Sequence, residues 1–214
     1  MMTESIHELA SLGSLDRVRS LLEDEGADIH ALDCNRCTPL HLASAAGHFE
    51  VAHLLLEKGV LVNAIDVNEE TALQRASEFG HLDILNLLLR NDADINVLGM
   101  LRMSPLHYAG SNLDVLGPLL DQGADIELFD HNGLTTLHWA VKMGRVEVAA
   151  FLLDRGANID ARDHDGLTPL RYGDFHTMKL LLDRGCNVNA LDCHNRTTLY
   201  YTVDKGKYPR HYFL

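Results

Sequence analysis

The chain has 214 residues, 46% of them apolar, which is ample for a buried core, and it carries a formal charge of −13. That charge is uneven: Met1 to Phe129 holds 7 Lys and Arg against 21 Asp and Glu, and Asp130 to Leu214 holds 11 against 10. Such an acidic first part repels phosphate, which argues against nucleic acid or anionic membranes and favours a basic partner, unless the acid serves only solubility.

The start, Met1-Met2-Thr3-Glu4-Ser5, has neither a basic flank nor an apolar run of the kind that directs secretion. No apolar stretch approaches the length that crosses a bilayer. Four cysteines in a chain of this size are too few for a disulfide scaffold. A soluble protein of a reducing compartment is expected, cytoplasmic, with the nucleus as the alternative. Residues 4–32 hold two helix-like segments, Ile6-His7-Glu8-Leu9 and Val18 to Leu22, whose many charges suit an N-terminal cap.

From Thr38 onward one pattern returns. Thr38-Pro39-Leu40-His41-Leu42-Ala43 reappears as Thr71-Ala72-Leu73-Gln74-Arg75-Ala76, Ser104-Pro105-Leu106-His107-Tyr108-Ala109 and Thr135-Thr136-Leu137-His138-Trp139-Ala140. Weaker copies start at Thr168 and Thr197, and the intervals are 33, 33, 31, 33 and 29 residues. A Thr or Ser before Pro is a helix N-cap with proline at the first helical position, where its missing N–H costs nothing. The Leu and Ala of the motif then share one helical face. Gly47-His48 and Gly80-His81 turn the chain into a second helix, and a later glycine such as Gly59 stops it in the left-handed conformation. One such unit cannot bury both of its apolar faces alone, so units must stack.

The distance from each helix-ending glycine, or Asp92 in its place, to the next motif Thr or Ser is always 12 residues. Inside the helical pair the length varies as 21, 21, 19, 21 and 17, so all shortening falls between the helices. Loop arms must stay in register, whereas the helix junction faces solvent. A kink or thin spot is expected around Asp174-Phe175-His176. The last copy, from Asp192, has no room for a second helix, because Lys207-Tyr208-Pro209-Arg210-His211-Tyr212-Phe213-Leu214 is short and contains proline. Either this aromatic tail folds back over the last repeat or the chain is a fragment of something longer.

These motifs closely resemble the ankyrin repeat, over nearly the whole chain. The resemblance implies a single all-α domain over 1–214, an ankyrin-repeat solenoid of stacked helix-turn-helix units with hairpin loops. Its boundaries fall at 3–32 for the N-cap, then 33–65, 66–98, 99–129, 130–162, 163–191 and a truncated 192–214. It further implies a groove of loop tips and first helices that binds a partner protein or peptide, and that His41, His107 and His138 bridge to neighbouring backbone. Carried over by position, the partner-binding candidates are Phe79, Met100, Leu101, Met103, Tyr108, Leu134, Trp139, Met143, Leu167 and Tyr172. A peptide is expected across repeats three to six, with Glu69, Glu70 and Glu78 meeting its basic flank. The column between His and Ala of the motif reads Leu42, Arg75, Tyr108, Trp139, Tyr172, Tyr201, and its rings serve packing between repeats or anchor a partner.

Catalytic and metal chemistry is not expected, and no cofactor is implied. Cys34 and Cys37 have metal-site spacing, but Cys186 and Cys193 lie about five repeats away, roughly 50 Å at one helix layer per repeat. Cys37 precedes a helix start, where a thiolate is stabilised, although filling a loop position is the plainer role. His131, His164 and His194 recur at a spacing of roughly 10 Å, too wide for one metal ion. No phosphate loop or His-Glu-x-x-His is present. The expected function is a monomeric, non-enzymatic interaction module. The alternatives are a structural spacer or fragment of a longer solenoid, and a substrate-recruiting adaptor of an enzyme complex such as a ubiquitin ligase.

Overall fold

The computed structural model describes residues 5–110 and 112–204. The expectations about the start at 1–4 and the tail at 207–214 lie outside the described residues. The chain packs as two compact units, Met1–Ala124 and Asp125–Leu214. Among the described residues there are twelve α-helices and one isolated β-bridge, between Phe129 and Thr135.

The first unit holds four helix pairs: α1 (Ile6–Ser11) with α2 (Leu15–Glu23), α3 (Pro39–Ala46) with α4 (Phe49–Glu57), α5 (Ala72–Phe79) with α6 (Leu82–Arg90), and α7 (Pro105–Ala109) with α8 (Leu113–Asp121). The first helices pack side by side in the order α1, α3, α5, α7, and α2, α4 and α6 form a second layer in the same order. The second unit repeats the scheme with α9 (Thr136–Lys142) and α10 (Val146–Asp154), a single 3₁₀ turn (Pro169–Arg171) with α11 (Phe175–Asp183), and α12 (Thr198–Asp204).

Each core is the set of motif leucines and alanines with the apolar stripe of the second helices. Leu40, Leu73 and Leu106 in the first unit, and Leu137 and Leu170 in the second, are 1% exposed. Their helix partners, such as Leu55, Leu85, Leu116 and Leu152, are fully buried. Removing one such side chain costs roughly 2–5 kcal/mol.

The shortening places itself more sharply than the spacing implied. Every second helix, from α2 to α11, keeps nine residues, and the loss falls within the first helix: α7 has five and the Pro169 turn three. The motif leucine lies in the first turn of the first helix, so trimming the C-terminal end removes no core leucine, only the buried seventh position that Ser44, Ser77 and Val141 fill elsewhere. A second helix buries residues along its whole length. Asp174 then caps α11, accepting the Thr177 amide at 2.9 Å, and the Thr177 contact holds its carboxyl below the usual range.

The N-terminal pair is a repeat without the motif. Ser5 caps α1 by accepting the Glu8 amide. His7 Nε2 reaches the carbonyl oxygens of Ala31 at 2.9 Å and Cys37 at 3.1 Å, tying α1 to the first loop. Gly47 shows why the turn between helices needs glycine. Its φ is +79°, and a Cβ there would lie 2.6 Å from the His81 ring of the following repeat. That ring donates to the Ala45 carbonyl at 3.1 Å.

Candidate partner-binding face

Five hairpin loops are each organised by one aspartate, half-buried at Asp33 and buried at Asp66, Asp130, Asp163 and Asp192. Oδ1 of Asp33, Asp66, Asp130, Asp163 and Asp192 accepts the amides two and four residues ahead, at 2.7–3.0 Å. Adjacent loops are joined by single backbone bonds. The Val67 amide donates to Asn35 O at 2.9 Å and Met100 to Asn68 O at 3.0 Å in the first unit. In the second, His164 donates to Asn132 O at 3.1 Å and Cys193 to Asp165 O at 2.9 Å. Any insertion in a loop arm would misalign these bonds, which is the physical basis of the constant spacing of 12.

The second oxygen of the aspartate takes the side chain nine residues on. Arg75 donates to Asp66 Oδ2 at 2.7 Å, Trp139 Nε1 to Asp130 Oδ2 at 3.0 Å, and the Tyr172 hydroxyl to Asp163 Oδ2 at 2.5 Å; the Tyr201 hydroxyl donates to Asp192. Leu42 apart, the column that sequence placed between packing and partner binding is therefore first a set of hydrogen-bond donors to the loops. The aspartates themselves went unnoticed in sequence, although Asp at a fixed distance before each motif threonine was there to be read. Burial raises the Asp66 carboxyl, but the Arg75 guanidinium and the amides of Glu70 and Asn68 outweigh it and hold the group below its usual range. Burial and the Asp163 acceptor push the Tyr172 phenol well above its ordinary value.

One loop breaks the rule. Gly99 stands where the others have aspartate, and the Tyr108 hydroxyl donates instead to Glu70 of the preceding loop. Glu70 also pairs with Arg75 at 2.9 Å, and Arg75 reaches Glu78 at 3.6 Å. Glu70 is thus committed to internal contacts, and Glu78, though exposed, also pairs with Arg75, while Glu69 is exposed.

The sequence candidates sort by exposure. Phe79 (54%), Met100 (56%) and Leu101 are exposed in the first unit, and Met143 (58%) in the second. Met103 and Tyr108, and Trp139, Leu167 and Tyr172, are half-buried. Leu134 is a correction: it is 2% exposed, drawn inward as its loop closes around Asp130. Burial and the carboxylates of Asp33 and Asp66 push the Cys37 thiol up to about 11, which favours the loop-filling role over a stabilised thiolate.

A family model described as ankyrin repeats (3 copies) matches residues 6–99 and 98–163. The chain belongs to the ankyrin repeat family. Compared with curated proteins, it has no match in sequence. Ankyrin repeats are in general protein–protein interaction modules and typically not enzymes. Their motif histidine does here what the resemblance implied. His41 Nδ1 accepts the Thr38 amide at 3.1 Å and Nε2 donates to Glu70 O at 3.0 Å, and His138 joins the Thr135 amide to Leu167 O in the same way. Gln74 copies both bonds with its amide, to the Thr71 N–H at 2.8 Å and Met103 O at 2.7 Å.

Sequence reading of these ankyrin loops missed a further column. The residue just before each loop aspartate is exposed and apolar at Leu32 and Ile65 in the first unit, and at Phe129 and Leu191 in the second. Its signal was plain: an apolar residue directly before a polar turn. Among the described residues no group of three His, Cys, Asp or Glu is placed to hold a metal ion, and no helix is long and apolar enough to cross a membrane.

Proposed function

We propose that this ankyrin protein captures a partner protein or peptide through its loop tips and the ends of its first helices. The observation that carries the reading is the exposure of Phe79, Met100, Leu101 and Met143 on loops and helix ends tied in place by backbone hydrogen bonds. Large apolar side chains on a preorganised backbone bind with little entropy to lose. Met103, Leu167 and the rings of Tyr108, Trp139 and Tyr172 are half-buried and add a smaller exposed area, while Leu134 is buried. Glu69 and Glu78 suit a basic flank of the partner on the first unit.

The test is affinity capture with mass spectrometry, comparing the unaltered chain with a Met100→Gln, Leu101→Gln, Met143→Gln variant of unchanged helicity by circular dichroism. Loss of the captured protein is expected; capture of the same protein by both chains removes the reading. A second reading, a structural spacer within a longer stack, draws on a cavity of about 290 Å³ lined by Leu170, Leu182, Val188, Thr197, Thr198 and Leu199. Concentration-dependent self-association in sedimentation would favour it.

A further inference from the structure

Where the fourth place of the motif is His, its ring bonds the hydroxyl of its own helix cap: His41 to Thr38 at 2.8 Å, His107 to Ser104 at 2.8 Å and His138 to Thr135 at 2.9 Å. His41, Gln74 and His138 then donate to the carbonyl oxygen just before the next motif, and so bridge one repeat to the following one. In the repeat that begins at Asp163 this place is Arg171, which has no acceptor atom. Thr168 Oγ1 and Arg171 Nε are buried there without a hydrogen-bond partner. Arg171 meets the last repeat only by stacking, its guanidinium 4.4 Å from the Tyr201 ring. The first helix is reduced to the Pro169–Arg171 turn, and the cavity of about 290 Å³ lies at this joint, with Leu170 and Leu182 on one side and Thr197, Thr198 and Leu199 on the other. In the first unit α1 is held differently: His7 reaches the Ala31 and Cys37 carbonyls, and His48 Nε2 donates to Ser11 O at 2.9 Å.

We infer that the last repeat, from Asp192 to Asp204, is a flap that opens from the Asp163 repeat while the rest of the second unit stays folded, and that Arg171 sets this by withholding the bridge. Three separate features weaken the same joint. Two buried polar groups lose water and gain no partner. The cavity deprives both of its walls of dispersion contacts. A three-residue turn offers α12 less surface to pack on than a full first helix. The hydrogen bonds that remain lie along the loop arm: the Cys193 amide donates to Asp165 O at 2.9 Å, and Arg162 to Leu191 O at 2.7 Å. They form the hinge, and α12 is the moving edge. Opening uncovers Leu170, which is 1% exposed when the flap is closed, together with Leu182, so an apolar surface is shown in the open state alone.

Native-state hydrogen exchange of the full chain, read by mass spectrometry, tests this. Amides of α12 are expected to exchange at least about tenfold faster than those of α9 and of α1. Exchange of α12 in step with α9 overturns the flap. Equal exchange of α12 and α1 overturns it too, because loosening would then belong to any outer repeat and not to this joint. Two variants isolate the bridge. Arg171→Gln can make both bonds that Gln74 makes, to its own cap amide and to the next carbonyl. Arg171→Leu loses the stacking on Tyr201 and bridges nothing, so it is the baseline. Arg171 is half-buried on a short turn, and neither change interrupts a helix. Exchange of α12 should be about fivefold slower in Arg171→Gln than in Arg171→Leu, the worth of one hydrogen bond, with α9 alike in both. Equal exchange of α12 in the two variants overturns the role of Arg171.

Discussion

Trp139 donates its indole N–H to Asp130, nine residues earlier, and so ties the first helix of its repeat to the floor of its own loop. The same carboxylate holds the amides of Asn132 and Leu134, and it is fully buried. The loop is therefore tied to its helix through one carboxylate.

Asp130→Ala removes three hydrogen bonds to a buried anion and leaves two amides without a partner. It should lower stability by about 3 kcal/mol, and Trp139→Phe, which removes one, by about 1–2 kcal/mol. Urea unfolding followed by circular dichroism measures both. Equal costs would mean that the aspartate does not organise the loop.

Gly99→Asp should stabilise the first unit. A Cβ at Gly99 meets nothing closer than 3.4 Å, so the side chain has room. The new carboxylate is placed to accept the Leu101 and Met103 amides and to draw the Tyr108 hydroxyl away from Glu70. A gain of about 1 kcal/mol is expected in the same unfolding assay. A loss would show that the nearby Glu69 and Glu70 repel it too strongly.

Burial lowers the His41 and His138 imidazoles below their usual 6.5. Each Nδ1 must stay unprotonated to accept a Thr amide, so the folded state binds fewer protons than the unfolded one. Stability is thus full above pH 6.5 and falls as pH drops from there towards the lower folded values. Gln74 makes the same two bonds without titrating. His41→Gln with His138→Gln should therefore flatten the pH dependence of the melting temperature below 6.5. An unchanged slope would assign the acid sensitivity to other groups.

Burial also pushes the Cys37 and Cys186 thiols up to about 11, while Cys34 and Cys193 are exposed. Iodoacetamide at neutral pH should label Cys34 and Cys193 and leave the other pair unmodified until the chain unfolds. Peptide mapping by mass spectrometry reads the order directly. Early labelling of Cys37 would contradict its burial.

The repeat, its helix starts and the constant loop arm were all legible in sequence, because caps, prolines and apolar spacing act within a single turn of chain. His41, Met100 and Phe79 could be placed from their repeat position alone. What stayed hidden depends on groups that meet only after folding. The donors to Asp130 and Asp163 lie nine residues away along the chain, and the diversion of Tyr108 to Glu70 follows from a carboxylate missing at Gly99. Nor does the sequence around Leu134 reveal that closing the loop on Asp130 turns it inward.

By itself, then, the amino-acid order determined the unit that repeats and where each helix begins, since those are settled by local backbone preference and by the period of apolar residues. Only the tertiary structure decided which charges face solvent. Asp130, Asp163 and Asp192 turn their carboxylates into the loops, and Lys142 is left outside on the Trp139 ring, because a buried anion needs several hydrogen bonds at once and only the folded loop provides them.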